Sequence, residues 1–417
     1  MRFVITFSQT VNMDQPAKAG TDSIARLQRV GLWDQVIDEI DGRRIRIGPR
    51  WLIDFASCNY LGLDLEPDVA TAIDEQVRRW GTHPSWSRML GSPRLYPLIE
   101  ERVAELLGAP DVLALPTISQ IHLSAIPVLA DGGHIFLDRQ AHRTVYDGCV
   151  FARGLGATLH RFPAGDLDAL SGQLRTAPAR AAKLVCMDGV NSMTGNAPDL
   201  AAFARVCRDH DALLYVDDAH GFGVIGERRR DESSPYGARG NAIVRHQGQT
   251  YENIVLVSGF SKAYSSMLAF VACPPAVKRR LQVTAPTYLF SGPTSTAALA
   301  SVLAGIDINA DRGDALRARL HRMTARILDH LRRLGVHTPN TSGFPLVQIP
   351  LRDADGLEAV GWSLLERGIY VTLAPYPGVP RDQVGFRIQV TAANTDAQVD
   401  TLLDTLTSMA PDLRPAG

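Results

Sequence analysis

At 417 residues the chain is too long for one small core and long enough for a large domain with a smaller one. An apolar fraction of 45%, a charged fraction of 21% and a net charge of −1 are ordinary for a globular protein and give no long-range field to recruit nucleic acid or an anionic membrane. No stretch approaches the length of a membrane span, and the five scattered cysteines (Cys58, Cys149, Cys186, Cys207 and Cys273) suggest reduced thiols in a cytoplasmic protein.

The N-terminus has a short apolar run that turns polar at once and lacks a small-residue cleavage site, so a signal peptide is not expected. Residues 1–20 read as a loose arm. Helical spacing then covers 22–41, and 45–55 alternates like a hairpin around Gly48-Pro49. A helix begins at Pro67 and another at Pro97, closed by Gly108. Between them, 81–96 reads as an active-site loop, because bulky Trp86 and Met89 sit inside it beside Arg88.

From about residue 111 short apolar strands alternate with helices. Strands are expected at 112–115, 134–137, 158–162, 184–187, 213–216 and 254–257, with helices from Thr117, from His142, and over 167–174 and 200–208. This is the pattern of a mostly parallel sheet covered on both faces, whose ligands bind outside the carboxyl ends of the strands. A polar loop over 228–250 reads as a mobile insertion. After Ser291-Gly292-Pro293 a long helix over 316–334 leads to strands at 346–349, 369–373 and 386–390, with helices at 357–366 and 399–406. The expected organisation is an arm, helix and hairpin over 1–60, a large domain over 61–300 and a smaller α/β domain over 301–417.

The strand ends carry the chemistry. The apolar run Ile254-Val255-Leu256-Val257 stops at small residues and presents Lys262 in Phe260-Ser261-Lys262-Ala263. A desolvated lysine amine becomes a nucleophile suited to a Schiff base; a surface lysine just past a strand end is the competing reading. The strand at 213–216 ends in Asp217-Asp218-Ala219-His220. A carboxylate there can keep an aromatic ring nitrogen protonated, as a pyridoxal phosphate (PLP) site requires, and His220 can bond the ring's phenolic oxygen. A metal pair is the alternative, but no second ligand cluster accompanies these residues and no metal is expected. Gly221-Phe222-Gly223-Val224-Ile225-Gly226 fits a dinucleotide fingerprint, yet no apolar helix follows, so it reads as a glycine turn.

Thr117-Ile118-Ser119 offers a helix N-terminus with hydroxyls, as a phosphate needs, and Ser258 and Ser261 offer more, although such hydroxyls are also ordinary caps. His142, past another strand end, could stack on a flat ring. Arg387 is a cation in an otherwise apolar strand, and it calls for a carboxylate from the protein or from an amino-acid substrate.

In this order the motifs resemble those of fold-type I PLP-dependent transferases, and within them the α-oxoamine synthases. The likeness runs from about residue 52 to 408. It is carried by Asn59-Tyr60-Leu61-Gly62-Leu63, Ser87-Arg88, Asp138 with His142, Val190-Asn191-Ser192-Met193-Thr194-Gly195, Val216-Asp217-Asp218-Ala219-His220, Phe260-Ser261-Lys262-Ala263, and Arg387 with Thr391-Ala392-Ala393. The chain departs where the family has Ser-Gly-Tyr/Phe-x-Ala-Asn, since Thr117-Ile118-Ser119-Gln120-Ile121-His122 stands there. It also has Gly259 for a threonine, Tyr96 for a histidine and Leu268-Ala269 for Gly-Gly.

The resemblance implies an α/β fold with a large PLP-binding domain and a smaller C-terminal one. It also implies decarboxylating condensation of an amino acid with an acyl thioester, from coenzyme A or a carrier protein, to an α-amino ketone. Lys262 would carry PLP and act as base, Asp217 would pair with the ring nitrogen, His142 would stack and His220 would bond the ring oxygen. Thr117, Ile118, Ser119, Ser192, Ser261 and Ser291 would complete the cofactor contacts, and Asn59, Arg88 and Arg387 would bind substrate. A homodimer with shared sites is implied as well. An aminotransferase or simple decarboxylase on the same scaffold is the runner-up, and a non-catalytic PLP-fold protein is the reading of another class.

Overall fold

The computed structural model describes residues 22–228 and 234–413. The arm expected over 1–20 lies outside these residues.

Seven strands form the large sheet: β4 (Val112–Leu115), β5 (His134–Asp138), β6 (Thr158–Phe162), β7 (Lys183–Asp188), β8 (Leu213–Asp217), β9 (Ile254–Gly259) and β10 (Ala269–Ala272). Their order is β4-β10-β9-β8-β7-β5-β6, with β10 antiparallel to both its neighbours and the remaining pairings parallel. Alternate strand residues serve opposite faces. Val112, Ala114, Val185, Met187, Leu214, Val216, Ile254 and Leu256 enter one apolar core, whereas Leu113, Leu115, Leu184, Cys186, Tyr215, Val255 and Val257 enter another. Both faces are therefore dry, and the only place for a polar ligand at this sheet is beyond a strand end.

Six strands form the second sheet: β1 (Glu39–Asp41), β2 (Arg44–Ile47), β3 (Arg50–Phe55), β11 (Leu346–Pro350), β12 (Ile369–Ala374) and β13 (Gly385–Gln389). The order β1-β2-β3-β12-β13-β11 places the N-terminal hairpin in the same sheet as the C-terminal strands, through a parallel β3–β12 pairing. The helix Thr296–Leu334 is 39 residues long, against 19 expected, because its first half is buried. No helix among the described residues is long and apolar enough to cross a membrane.

Three sequence expectations need correction. The first helix covers only Asp22–Arg29; Gly31 and Asp34 both take positive φ, 72° and 59°, which a helix cannot contain. The loop expected to be a mobile insertion is packed over its described part, with Tyr236 fully buried and bonded to the Gly343 carbonyl at 2.9 Å, and with a short helix at Ala242–His246. Strand β10 was not expected at all; four small or apolar residues flanked by other apolar residues give no period to read.

Candidate active site

A cavity of about 300 Å³ opens at the carboxyl ends of the parallel strands. It is lined by Thr117, Ile118 and Ser119 after β4, His142 after β5, Asp188 and Ser192 at and after β7, Asp217 and His220 at and after β8, and Ser261 and Lys262 after β9. Five strand ends thus converge on one space. The glycine-rich run after His220 forms turns and not a phosphate-binding helix start.

Lys262 reaches this space from the turn after β9. Among the described residues no hydrogen bond or ion pair engages its amine, and Asp217, Asp188, His142 and His220 all feel its charge.

Asp217 ends β8 and is buried. Its Oδ1 accepts from the Ala219 N–H at 3.1 Å, and its Oδ2 pairs with His122 Nε2 at 3.0 Å. Burial alone would push this carboxyl up, but the hydrogen bond from His122 and the nearby Lys262 charge act against it, and the group is held below the usual carboxylate range. Asp188 lies opposite Asp217 in the β7–β8 register. Burial, with the Asp217 charge beside it, raises its carboxyl well above the ordinary value. The two neighbouring carboxyls are thus shifted in opposite directions, Asp217 down and Asp188 up, as two close carboxyls are in a dry site.

His220 is buried with Nδ1 2.7 Å from the Tyr60 hydroxyl. Burial, together with Lys262 and Arg387, lowers its pKa well below the ordinary value, so the ring is neutral. Burial also raises the Tyr60 phenol. Tyr60 therefore keeps its proton and donates it to Nδ1, which leaves Nε2 as the N–H donor of His220. His142 caps the helix Arg143–Gly154 and bonds Thr144 Oγ1 at 2.8 Å, with its ring open to the cavity.

Across from Lys262, the helix Ile118–Ala130 points its first turn at the cavity. Thr117 caps it by accepting from Gln120 N at 3.3 Å, and the first backbone N–H groups have no partner within the helix. Ser258 plays no part here, because its hydroxyl donates to the Asp218 carbonyl at 2.9 Å in the core. The departures Ile118 and Gly259 touch each other. A Cβ on Gly259 would lie 3.0 Å from Ile118 Cδ1, so the larger residue on the helix occupies the room left by the smaller one on the strand.

Arg387 donates from Nη1 to the Ser192 carbonyl, and its Nε is buried without a partner. A buried unpaired guanidinium N–H is costly unless a ligand meets it. The remaining expected residues lie elsewhere. Arg88 is buried in an ion pair with Glu100 at 3.0 Å, donates to the Ala114 carbonyl, and lies over the Tyr96 ring at 4.1 Å. Asn59 donates to Asp64 at 3.0 Å, and the Ser291 hydroxyl bonds the neighbouring Gly292 carbonyl. None of these three lines the cavity.

His122, in the sequence only a departure from the family pattern, is fully buried. It is the direct partner of Asp217, and no local signal announces a contact across 95 residues.

The profile of the aminotransferase class I and II family matches residues 51–406. The chain belongs to this family. Among curated relatives it is 31% identical to an 8-amino-7-oxononanoate synthase from Herminiimonas arsenicoxydans, over 93% of this chain and 97% of the relative. It is 34% identical to another from Chromohalobacter salexigens, over 85% of this chain and 88% of the relative. Among solved structures a Sphingomonas wittichii serine palmitoyltransferase superposes with a TM-score of 0.83 at 27% identity, covering 94% of this chain and 96% of that one. A serine palmitoyltransferase from S. paucimobilis, solved with PLP and myriocin bound, gives 0.85 at 24% identity, over 94% and 98% of the two chains. These matches place the chain among the α-oxoamine synthases, which are PLP-dependent fold-type I enzymes.

The donor set fits that cofactor. An unpaired amine, an ionised carboxylate, a neutral imidazole with its N–H free, and a helix N-terminus with hydroxyls surround one cavity, and each answers a different group of PLP.

Proposed function

We propose that this protein is a PLP-dependent acyltransferase that condenses an amino acid with an acyl thioester and releases carbon dioxide, leaving an α-amino ketone. The observation that carries the reading is the single cavity where Lys262, Asp217, His220 and His142 meet, with Arg387's buried, unpartnered Nε held next to it through Ser192. Membership of the α-oxoamine synthases supports it further.

When bound, PLP supplies an electron sink for a carbanion at the substrate α-carbon. Lys262 would hold the cofactor's aldehyde, and its amine, when free, would take the proton from the substrate α-carbon and return one. Asp217 keeps the ring nitrogen protonated through its own negative charge. His220 donates its Nε2 proton to the ring's phenolic oxygen, in the tautomer fixed by Tyr60. His142 lines the cavity where it would lie against the ring. Thr117, Ile118, Ser119 and Ser261 hold the phosphate with hydroxyls and first-turn N–H groups. Arg387 binds the substrate carboxylate with the Nε that the protein leaves unpaired.

A homodimer with shared sites agrees with the surface near this end of the sheet. His83 bonds the Pro293 carbonyl at 3.0 Å and Ser87 bonds the Leu289 carbonyl at 2.8 Å, joining two loops on which Trp86, Met89, Leu90 and Phe290 are exposed. Five cysteines without a disulfide suit a cytoplasmic protein.

The test is to load the purified protein with PLP and screen amino acids against acyl-coenzyme A and acyl-carrier-protein thioesters, following free thiol and product mass. Thiol release with a product equal to both substrates less thiol and carbon dioxide is expected. No thiol release from any pair, alongside glutamate-dependent conversion of a keto acid, would contradict condensation and indicate transamination.

A further inference from the structure

His122 stands where the α-oxoamine synthase pattern has asparagine, and it is fully buried. Its Nε2 lies 3.0 Å from Asp217 Oδ2, and its Nδ1 lies 2.8 Å from the Tyr215 hydroxyl. Tyr215 and Asp217 are two residues apart on β8 and so share one face of the sheet. An imidazole carries nitrogens on opposite edges and can span both groups.

The direction of each bond follows from the chemistry. Ionised Asp217 only accepts, so His122 Nε2–H donates. Burial raises the Tyr215 phenol, which keeps its proton and donates to Nδ1. The chain therefore runs from Tyr215 through His122 to Asp217, with every member buried and satisfied. A second feature fixes the histidine itself. Gly148 on the neighbouring helix lets the His122 backbone approach, since a Cβ there would lie 2.6 Å from the His122 carbonyl oxygen. Tyr215, Asp218 next along the chain, Asp188 from β7, His142 at its helix start and Lys262 after β9 are further titratable groups around Asp217.

We propose that His122 is a positioning residue for the pyridine ring of PLP, acting through Asp217. It fixes one carboxylate oxygen while Ala219 N–H fixes the other, so the charge cannot swing away from the cavity. In place of the family's asparagine, this chain ties the ring-nitrogen partner to a buried tyrosine. The inference rests on the reading of Asp217 as that partner.

The test uses full-length protein loaded with PLP and no substrate. His122→Phe, His122→Asn and Tyr215→Phe are compared with wild type by PLP dissociation constant, by the pH titration of the visible absorption band, and by thermal midpoint. His122→Phe is expected to weaken PLP by about tenfold or more, because it removes a hydrogen bond to a charged group. It should also raise the titration midpoint of the band by about one pH unit, because a ring nitrogen that loses its counter-charge no longer disfavours the neighbouring proton. Tyr215→Phe should shift both in the same direction by less, and His122→Asn should restore part of the loss. If His122→Phe does not fold, Tyr215→Phe removes one oxygen only and decides by the same readouts. Wild-type affinity and wild-type titration in His122→Phe or, failing that, in Tyr215→Phe would overturn the proposal, whatever the thermal midpoint does. Absence of any visible band in wild type with PLP would overturn the underlying reading of Lys262 and Asp217 as well, and so is distinguishable.

Discussion

At one end of the cavity Asp217, His122 and Tyr215 are joined by buried hydrogen bonds; at the other, the Ile118 side chain lies against Gly259 beside the Thr117 helix cap. The first end is all polar and dry, so removing any member strands another without water to replace it. The second end is held by shape and by backbone N–H groups, which most side chains leave unchanged. Both ends carry departures from the family pattern, and the difference shows how each is accommodated. Asp217 and His220 stand in place, and the new partner His122 still satisfies Asp217. At the other end two positions have changed size in opposite directions and still fit.

Paired substitutions at the two ends would break the comparison if it is wrong. Asp217→Ala should lower condensation on the order of a thousandfold, the scale of losing one charge aimed at the reacting group. Thr117→Ala removes only a cap and one hydroxyl, so it should cost about tenfold or less, because the N–H groups remain. Comparable losses in the two variants, measured as kcat/KM, would dissolve the distinction.

Arg88 sharpens the comparison by belonging to neither end. Arg88→Ala leaves Glu100 buried with only Lys278 and the Ala114 N–H, and it should cost about 3 kcal/mol in denaturant unfolding. The folded fraction should keep its KM for the amino acid. A raised KM with unchanged stability would return Arg88 to the substrate.

At the phosphate end, Gly259→Thr should cost about 1–3 kcal/mol, because its Cβ meets Ile118. Adding Ile118→Gly should recover most of this, and additive losses in the double variant would show that the two positions do not pack as a pair.

The smallest effect concerns pH. The native protein keeps His220 neutral to well below the ordinary 6.5, while the unfolded chain takes up a proton near that value. Below pH 6.5 the unfolded state therefore binds more protons, and stability falls with acidification until the native group titrates too. In thermal melts between about pH 7 and about pH 5, His220→Gln should lose less of its midpoint than wild type does. An equal loss in both would place the pH dependence on other groups.

The strand ends were legible because each apolar run stops at a residue that has no business in a core. Asp217 ends β8 in this way, Lys262 and His142 follow β9 and β5, and burial of both sheet faces leaves them one place to meet. What escaped was long-range pairing. His122 meets Asp217 across 95 residues, and the β3–β12 pairing joins Ile53 to Ile369. Arg88 pairs with Glu100 on the next helix, where a carboxylate is unremarkable on its own in the sequence. The first helix stops at Arg29, although apolar spacing continues past Gly31, because the backbone turns to positive φ there.

The central claim is that Lys262 is the amine that holds PLP. The sequence has four lysines, Lys18, Lys183, Lys262 and Lys278. Lys183 donates to the His210 carbonyl at 2.9 Å, and Lys278 is paired with Glu100 and Asp111. Borohydride reduction of the PLP-loaded protein, followed by peptide mass mapping, should place one phosphopyridoxyl group on Lys262 and abolish the label in Lys262→Ala. A stoichiometric label on any other lysine, or an unmodified Lys262 in protein that has bound PLP, would contradict the account.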